Sequence, residues 1–242
     1  MVAPRTYRYW VRDNDLVSFT VVIQESDLYI RATGNLQRKA EKILRKCRIP
    51  LEKYIRQNPL FQTTLEPFPV ADDAPRLVKI MAEAAGKVGV GPMAAVAGAI
   101  AEAVGKELLA FSPEVIVENG GDIFIKSTRS RLVGILAADS PFTGKLGLEI
   151  AGQDTPLGIC TSSGTVGHSL SFGQADAVIV LSKSTALADA AATAIGNIVV
   201  GAEDIPRGLE LARGIDGLKG TVIIKGDKMG VWGEVKLCEM NG

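Results

Sequence analysis

The residues best placed to do chemistry are a carboxylate and a hydroxyl four positions apart. Asp189 and Thr193 stand in the run Asp189-Ala190-Ala191-Ala192-Thr193-Ala194. Positions i and i+4 share a helix face, so the two side-chain oxygens point the same way. Both are hard donors, and the alanines between them leave room for an ion. No imidazole or thiolate is present in the run, so magnesium or calcium suits it better than zinc. Two oxygens do not make a cage. Backbone carbonyls, water or a substrate phosphate must complete the shell. The competing reading is a polar helix face packed near solvent.

A second candidate is Glu118-Asn119-Gly120-Gly121-Asp122, lying between two β-rich runs. Paired glycines there leave backbone N–H groups open, flanked by an amide and a carboxylate. That suits contact with a ribose, a flavin edge or a phosphate. It equally suits a tight bend whose polar side chains satisfy one another. Thr161-Ser162-Ser163-Gly164 reads as a hydroxyl-rich loop, able either to bond a ligand or to cap nearby backbone. His168, the only histidine, can serve as a general base or as an ordinary surface residue. Cys160 beside that loop reads first as a buried, inert thiol. Cys47, Cys160 and Cys238 have no metal-ligand or redox spacing, and so sparse a set fits a reducing compartment.

The elements that must position these groups are legible in outline. Phe19–Ile23 and Leu28–Ile30 read as a hairpin. Asn35 can cap a helix with apolar positions Leu36, Ala40, Ile43, Leu44 and Cys47, limited by Pro50 though Leu51–Ile55 can extend it. Residues 58–74, with three prolines, read as an irregular connector. A helix follows from about Pro75 to Lys87, then a third behind Pro92 whose residues Ala94 to Ala101 are nearly all small. Such a face admits another helix, a ligand or a second subunit, so a homodimer is one expectation. Strands are expected at 115–117, 123–125, 133–136, 148–150 and 177–181. Helices are expected at about 185–196 and 206–213, and a closing hairpin at 221–224 and 231–237. Strands adjacent in sequence favour an α+β fold with a largely antiparallel sheet, in one domain over residues 1–242.

Composition narrows the function classes. Apolar residues make up 47% of the chain, enough for an autonomous core. The 27 basic and 27 acidic residues cancel, which argues against a nucleic-acid or anionic-membrane partner read by bulk charge. At 5% aromatic, base-stacking platforms are not expected either. The longest apolar stretch, Met93–Val104, contains Glu102 and is too short to span a bilayer. A cytoplasmic location is the expectation.

Taken in order, these motifs resemble the ApbE-like superfamily, whose best-known members are FAD:protein FMN transferases. Asn119-Gly120-Gly121-Asp122 resembles its N-x-G-G-D signature, Ser162-Ser163-Gly164 its T-S-G loop, and Asp189 to Ala194 its D-A-x-x-T-A metal motif. Asp139-Ser140-Pro141 falls where those enzymes often carry an acidic-proline turn. The N-terminal half resembles a narrower group of uncharacterised bacterial and archaeal members, some associated with sulfur assimilation and homocysteine formation in anaerobes. The resemblance implies a T-fold-like architecture. It also implies a magnesium ion on Asp189 and Thr193, with a backbone carbonyl near Gly98 as a further ligand, and Asp122 orienting a nucleotide. FAD or FMN is the implied ligand or substrate, and an acceptor protein the implied partner. The implied chemistry is FMN transfer or FAD hydrolysis, with Asp189 and His168 as catalytic candidates. The sequence departs from the transferases where their H-x-x-D-P-x-T-G segment is reduced to His168-Ser169-Leu170-Ser171-Phe172-Gly173. That motivates an alternative: a binding or accessory protein that keeps the pocket without transfer.

Overall fold

The structure, a computed structural model, describes residues 15–164 and 173–240. Its described residues form three layers. Six helices cover one face of an eight-stranded antiparallel sheet, and a three-stranded sheet covers part of the other. The large sheet runs in the order β1 (Val17–Ile23), β2 (Ser26–Ala32), β3 (Val115–Asn119), β4 (Asp122–Lys126), β7 (Leu157–Ser162), β8 (Ala177–Ser182), β9 (Leu218–Lys225), β10 (Lys228–Gly233). The small sheet is β11 (Leu237–Glu239), β6 (Leu146–Ile150) and β5 (Arg131–Gly134). The α+β class and antiparallel sheets expected from the sequence are what the fold contains.

The layering explains the strand sequences. Successive side chains alternate between faces. Val115 and Val117, or Val178 and Val180, therefore enter the core beneath the helices. Ile116, Ile179 and Leu181 enter a second core beneath the small sheet. Strands covered on both sides can be apolar throughout, and β8 is buried along its whole length.

Helix α1 (Gln37–Gln57) runs straight through Pro50, where the sequence suggested a limit. Pro50 and Lys46 are exposed, so the Lys46 carbonyl that loses its donor lies on the solvent side, and Leu51 is buried and holds the next turn on the core. The connector expected at 58–74 contains one helical turn, α2 (Leu60–Thr63). Its Phe61 is fully buried, edge-on to Tyr54 at 5.2 Å and to Phe68 at 5.6 Å. Each such aromatic pair adds about 0.5–1.5 kcal/mol beyond area burial. Helix α3 (Arg76–Val88) ends on Gly89 at φ +74°, a left-handed cap that suits glycine. A 3-10 turn at Pro92–Ala95 leads into α4 (Val96–Leu108). Helices α5 (Thr185–Ile198) and α6 (Ile205–Gly214) complete the layer. No single described helix is long and apolar enough to cross a membrane. The pair 76–88 and 92–108 passes by length and composition together but is bent by 105°.

Two expectations about strands need correction. Residues 157–162 form a full central strand, β7, so Thr161 and Ser162 sit in the sheet and not in a loop. Leu237 does not extend the last hairpin. It crosses to the small sheet, pairing with Leu148.

Candidate functional site

Helices α4 and α5 hold each other by reciprocal contacts on their first turns. Asp189 Oδ2 on α5 accepts a hydrogen bond from the Gly98 N–H at 2.8 Å. Glu102 Oε2 on α4 accepts from the Thr185 N–H at 2.7 Å. First-turn N–H groups have no partner within their own helix, so each carboxylate satisfies an otherwise orphaned donor on its neighbour. The pairs run antiparallel, and each helix contributes residues at i and i+4. Close approach is essential to the arrangement. A Cβ on Gly98 would stand 2.5 Å from the Thr185 carbonyl oxygen, and one on Gly158 of β7 2.5 Å from the Thr185 Cα. Of the uses considered for the small-residue face of α4, the fold adopts internal helix packing: Gly98, Ala99, Ile100 and Ala101 are all buried.

The glycine pair lies at the tip of the β3–β4 hairpin. Asn119 pairs with Asp122 across it, and Gly120 and Gly121 have φ of +70° and +112°. A two-residue turn with both φ positive matches the twist of the strands and favours glycine at both places. Asn119 donates from Nδ2 to the Ala97 carbonyl at 3.1 Å, tying the hairpin to the start of α4. Gly98 turns its N–H toward Asp189, and the Ala97 carbonyl, with one lone pair on Asn119, keeps a second for another partner.

Asp122 turns inward toward Cys160 and Asp189. Burial pushes its carboxyl up to about 7, with the Glu118 charge adding to the rise, against the pull of the Cys160 thiol and the Thr161 N–H. Burial first, and then the Asp122 charge, hold Asp189 well above the usual carboxylate range, although Gly98 and Ala97 N–H groups favour its ionised form. Asp122 Oδ1 is buried without a hydrogen-bond partner, as is Thr185 Oγ1. Cys160 is fully buried, donates to the Thr185 carbonyl at 3.3 Å, and is pushed up by burial and by both aspartates. A thiol so placed stays protonated and is no nucleophile.

Thr193 stands one turn beyond Asp189 on α5 and is half-buried. Ser162 is buried, while Thr161 and Ser163 are half-buried and Gly164 is exposed at the end of β7. The Gly164 N–H donates to the Ala175 carbonyl at 2.9 Å. His168 lies outside the described residues. The structure thus gathers Gly98, Asn119, Asp122 and Asp189 around the start of α4, with Thr193 one turn along. The spacing argument had missed Glu102, Gly158 and Thr185. Their signal was the same i, i+4 repeat, Gly98/Glu102 matching Thr185/Asp189.

A cavity of about 450 Å³ opens beside this cluster. Its walls include Asn119 and Ala97, the apolar Met93, Val96 and Ile100, and Arg48 and Arg56 of α1. Arg48 is buried and already committed, to Glu52 at 3.0 Å, Glu25 at 2.7 Å and Ser26 Oγ at 2.6 Å. It therefore offers little charge to an anion. Another cavity, of about 390 Å³, is lined by Glu149, Lys219 and Lys236 and touches none of the candidate residues. Among the described residues no three His, Cys, Asp or Glu side chains converge on a point that could hold a metal. Any cation here must take its remaining ligands from Thr193, backbone carbonyls, water or substrate.

The fold is that of the ApbE-like proteins. The structure superposes on the apo flavinyl transferase ApbE of Pseudomonas stutzeri with a TM-score of 0.55 at 16% identity, covering 90% of this chain and 94% of that one. It superposes on the ApbE protein of Thermotoga maritima with a TM-score of 0.57 at 12% identity, covering 89% and 96%. The sequence model of the family described as AbpE bacteria matches residues 8–210, and the chain belongs to that family. A UPF0280 protein of Methanocaldococcus jannaschii is 43% identical over 221 residues, 89% of this chain and 90% of that protein. One from Methanopyrus kandleri is 43% identical over 235 residues, covering 94% and 95%.

Proposed function

We propose that this chain binds a flavin nucleotide with a divalent cation, magnesium being the natural choice, and that its chemistry is FMN transfer from FAD or FAD hydrolysis. One observation carries the reading most. Asp122 and Asp189 come from different layers to one desolvated place, the Asp122 charge bears on Asp189, and Asp122 Oδ1 has no partner. A buried carboxylate with an unsatisfied oxygen, set beside a second, half-buried one, is costly unless a cation joins them. The oxygen-only donor set fits a hard ion. Asp189 and Thr193 would hold it with Asp122 facing. A divalent ion there neutralises charge on a pyrophosphate.

The chain's own residues would do the rest. The Gly98 N–H holds Oδ2 of Asp189 and fixes the carboxylate against the start of α4. The Thr161 N–H and the Cys160 thiol favour the ionised form of Asp122. Asn119 steadies the start of α4, beside a cavity with an apolar wall suited to a flat ring. The P. stutzeri protein of the same architecture is a flavinyl transferase, which favours flavin among nucleotides. An acceptor protein is the matching partner.

The test is to incubate the purified chain with FAD and magnesium, with and without candidate acceptor proteins, and separate the products. Release of AMP or FMN that disappears with chelator supports the reading. Thermal stabilisation by FAD without product would favour an accessory binding role instead. Neither product nor stabilisation removes flavin altogether.

A further inference from the structure

Helix α1 carries a face that the fold does not use. Arg38, Lys42, Arg45, Ile49, Lys53 and Arg56 recur at spacings of four, three, four, four and three residues, which draws one stripe along the helix. All six are exposed, and the stripe runs for roughly 27 Å at 1.5 Å per residue. Buried Ala40, Ile43, Leu44 and Leu51 occupy the opposite side. Between residues 37 and 57 there are eight lysines and arginines and two glutamates, in a chain with no net charge overall.

The flanking cations are used internally. Lys39 lies over the Phe111 ring at 4.0 Å, and Lys46 pairs with Glu107 at 3.0 Å. The stripe is different. Arg45 reaches Glu41 at 2.8 Å, but Arg38, Lys42, Lys53 and Arg56 make no ion pair with any described residue. Like charges one turn apart disfavour the helix that bears them. Stability alone would place glutamates among them.

We propose that this stripe docks an acidic protein segment with an apolar side chain at its centre. Ile49 is 62% exposed and has Arg45 and Lys53 one turn to either side. An apolar anchor inside a charged rim is how protein interfaces are built. A phosphodiester backbone has nothing to pack on an isoleucine, and a bilayer needs a broad apolar helix face, which α1 spends on the core. Arg56 also walls the 450 Å³ cavity beside Asn119, so a docked segment sits at the mouth of the candidate site. The surface argument does not depend on the flavin reading.

The test uses the full chain and a fluorescein-labelled peptide of repeated Glu-Glu-Leu-Glu units, read by anisotropy at low and high salt. A dT 20-mer and phosphatidylglycerol vesicles serve as rival probes. Salt-sensitive peptide binding is expected. It should weaken by about tenfold or more in the Lys42→Glu/Arg45→Glu/Lys53→Glu variant and severalfold in Ile49→Ser. Asp189→Asn should leave it unchanged, which separates this proposal from the flavin site. Arg45→Glu gives up the Glu41 pair, so the folding of the variant is checked by its melting temperature. Should it misfold, the milder Lys42→Gln/Lys53→Gln pair gives the same comparison, with about threefold weakening expected. No peptide binding, or binding that ignores these substitutions, would overturn the proposal. So would stripe-dependent binding of the oligonucleotide or the vesicles that is tighter than that of the peptide.

Discussion

Asp122 and Asp189 have opposite needs with and without a cation, and that makes pH a probe of the site. Burial raises both above the ordinary carboxylate range, Asp122 to about 7. A carboxyl whose folded pKa exceeds its unfolded one binds its proton more tightly in the native state. Its contribution is fully present below about pH 4 and is lost as pH rises through 7. In chelator the fold should therefore lose on the order of a few kcal/mol of stability between pH 5 and 8, read as a falling melting temperature. Magnesium should flatten that slope, and Asp122→Asn should remove most of it. A profile unchanged by Asp122→Asn would show that the buried carboxyl does not titrate in this range. Glu114 provides the opposite sign. Burial pushes it up, but Ser127, Thr128 and Arg131 outweigh burial and hold it at about 2. Its stabilisation is present above about pH 4.5 and lost as the pH falls toward 2, so acid denaturation should begin there.

At the scale of elements, the site depends on how closely α4, α5 and β7 approach. Gly98→Ala drives a methyl against the Thr185 carbonyl, and Gly158→Ala drives one against the Thr185 backbone. Backbone cannot yield as a side chain can, so each should cost about 1–3 kcal/mol in urea denaturation. A neutral result would mean that the helices part more easily than the contacts suggest. Much of this level was readable in advance. The i, i+4 pair, the hairpin around two glycines and the small-residue helix were each placed correctly as local structure. What could not be read was what they touch. Asn119 spends its amide on Ala97 and Gly98 spends its N–H on Asp189, bonds that join residues 22 and 91 positions apart. Thr161 and Ser162 look like a loop because hydroxyls and glycine dominate locally. Pairing with β8 makes them strand, which is tertiary context overriding local preference. The extension over Leu51–Ile55 left open beyond Pro50 is present, since packing on both sides of Pro50 carries α1 through to Gln57.

Across the whole molecule, the small sheet is fastened to the large one by a buried ion network. Arg131 at the start of β5 holds Glu114, just before β3, at 2.5 Å and Asp15, just before β1, at 2.6 Å. Removing the guanidinium in Arg131→Met leaves buried Glu114 uncompensated and should cost about 3–5 kcal/mol, read as a lower denaturant midpoint. The two-core architecture was foreseeable only as a class. The strand runs announced antiparallel sheets, but not that Leu237 would cross to a second one.

The central claim is that Asp189 carries a cation for a flavin nucleotide and is more than the brace that closes α4. Asp189→Asn separates the two, because the amide oxygen can still accept from Gly98 while the charge is gone. The direct measurement is calorimetric titration of FAD into the chain with magnesium and with chelator, in the parent and in Asp189→Asn. The account predicts magnesium-dependent binding in the parent that weakens at least about tenfold in the folded variant. FAD binding of equal strength in both proteins, indifferent to magnesium, would contradict it.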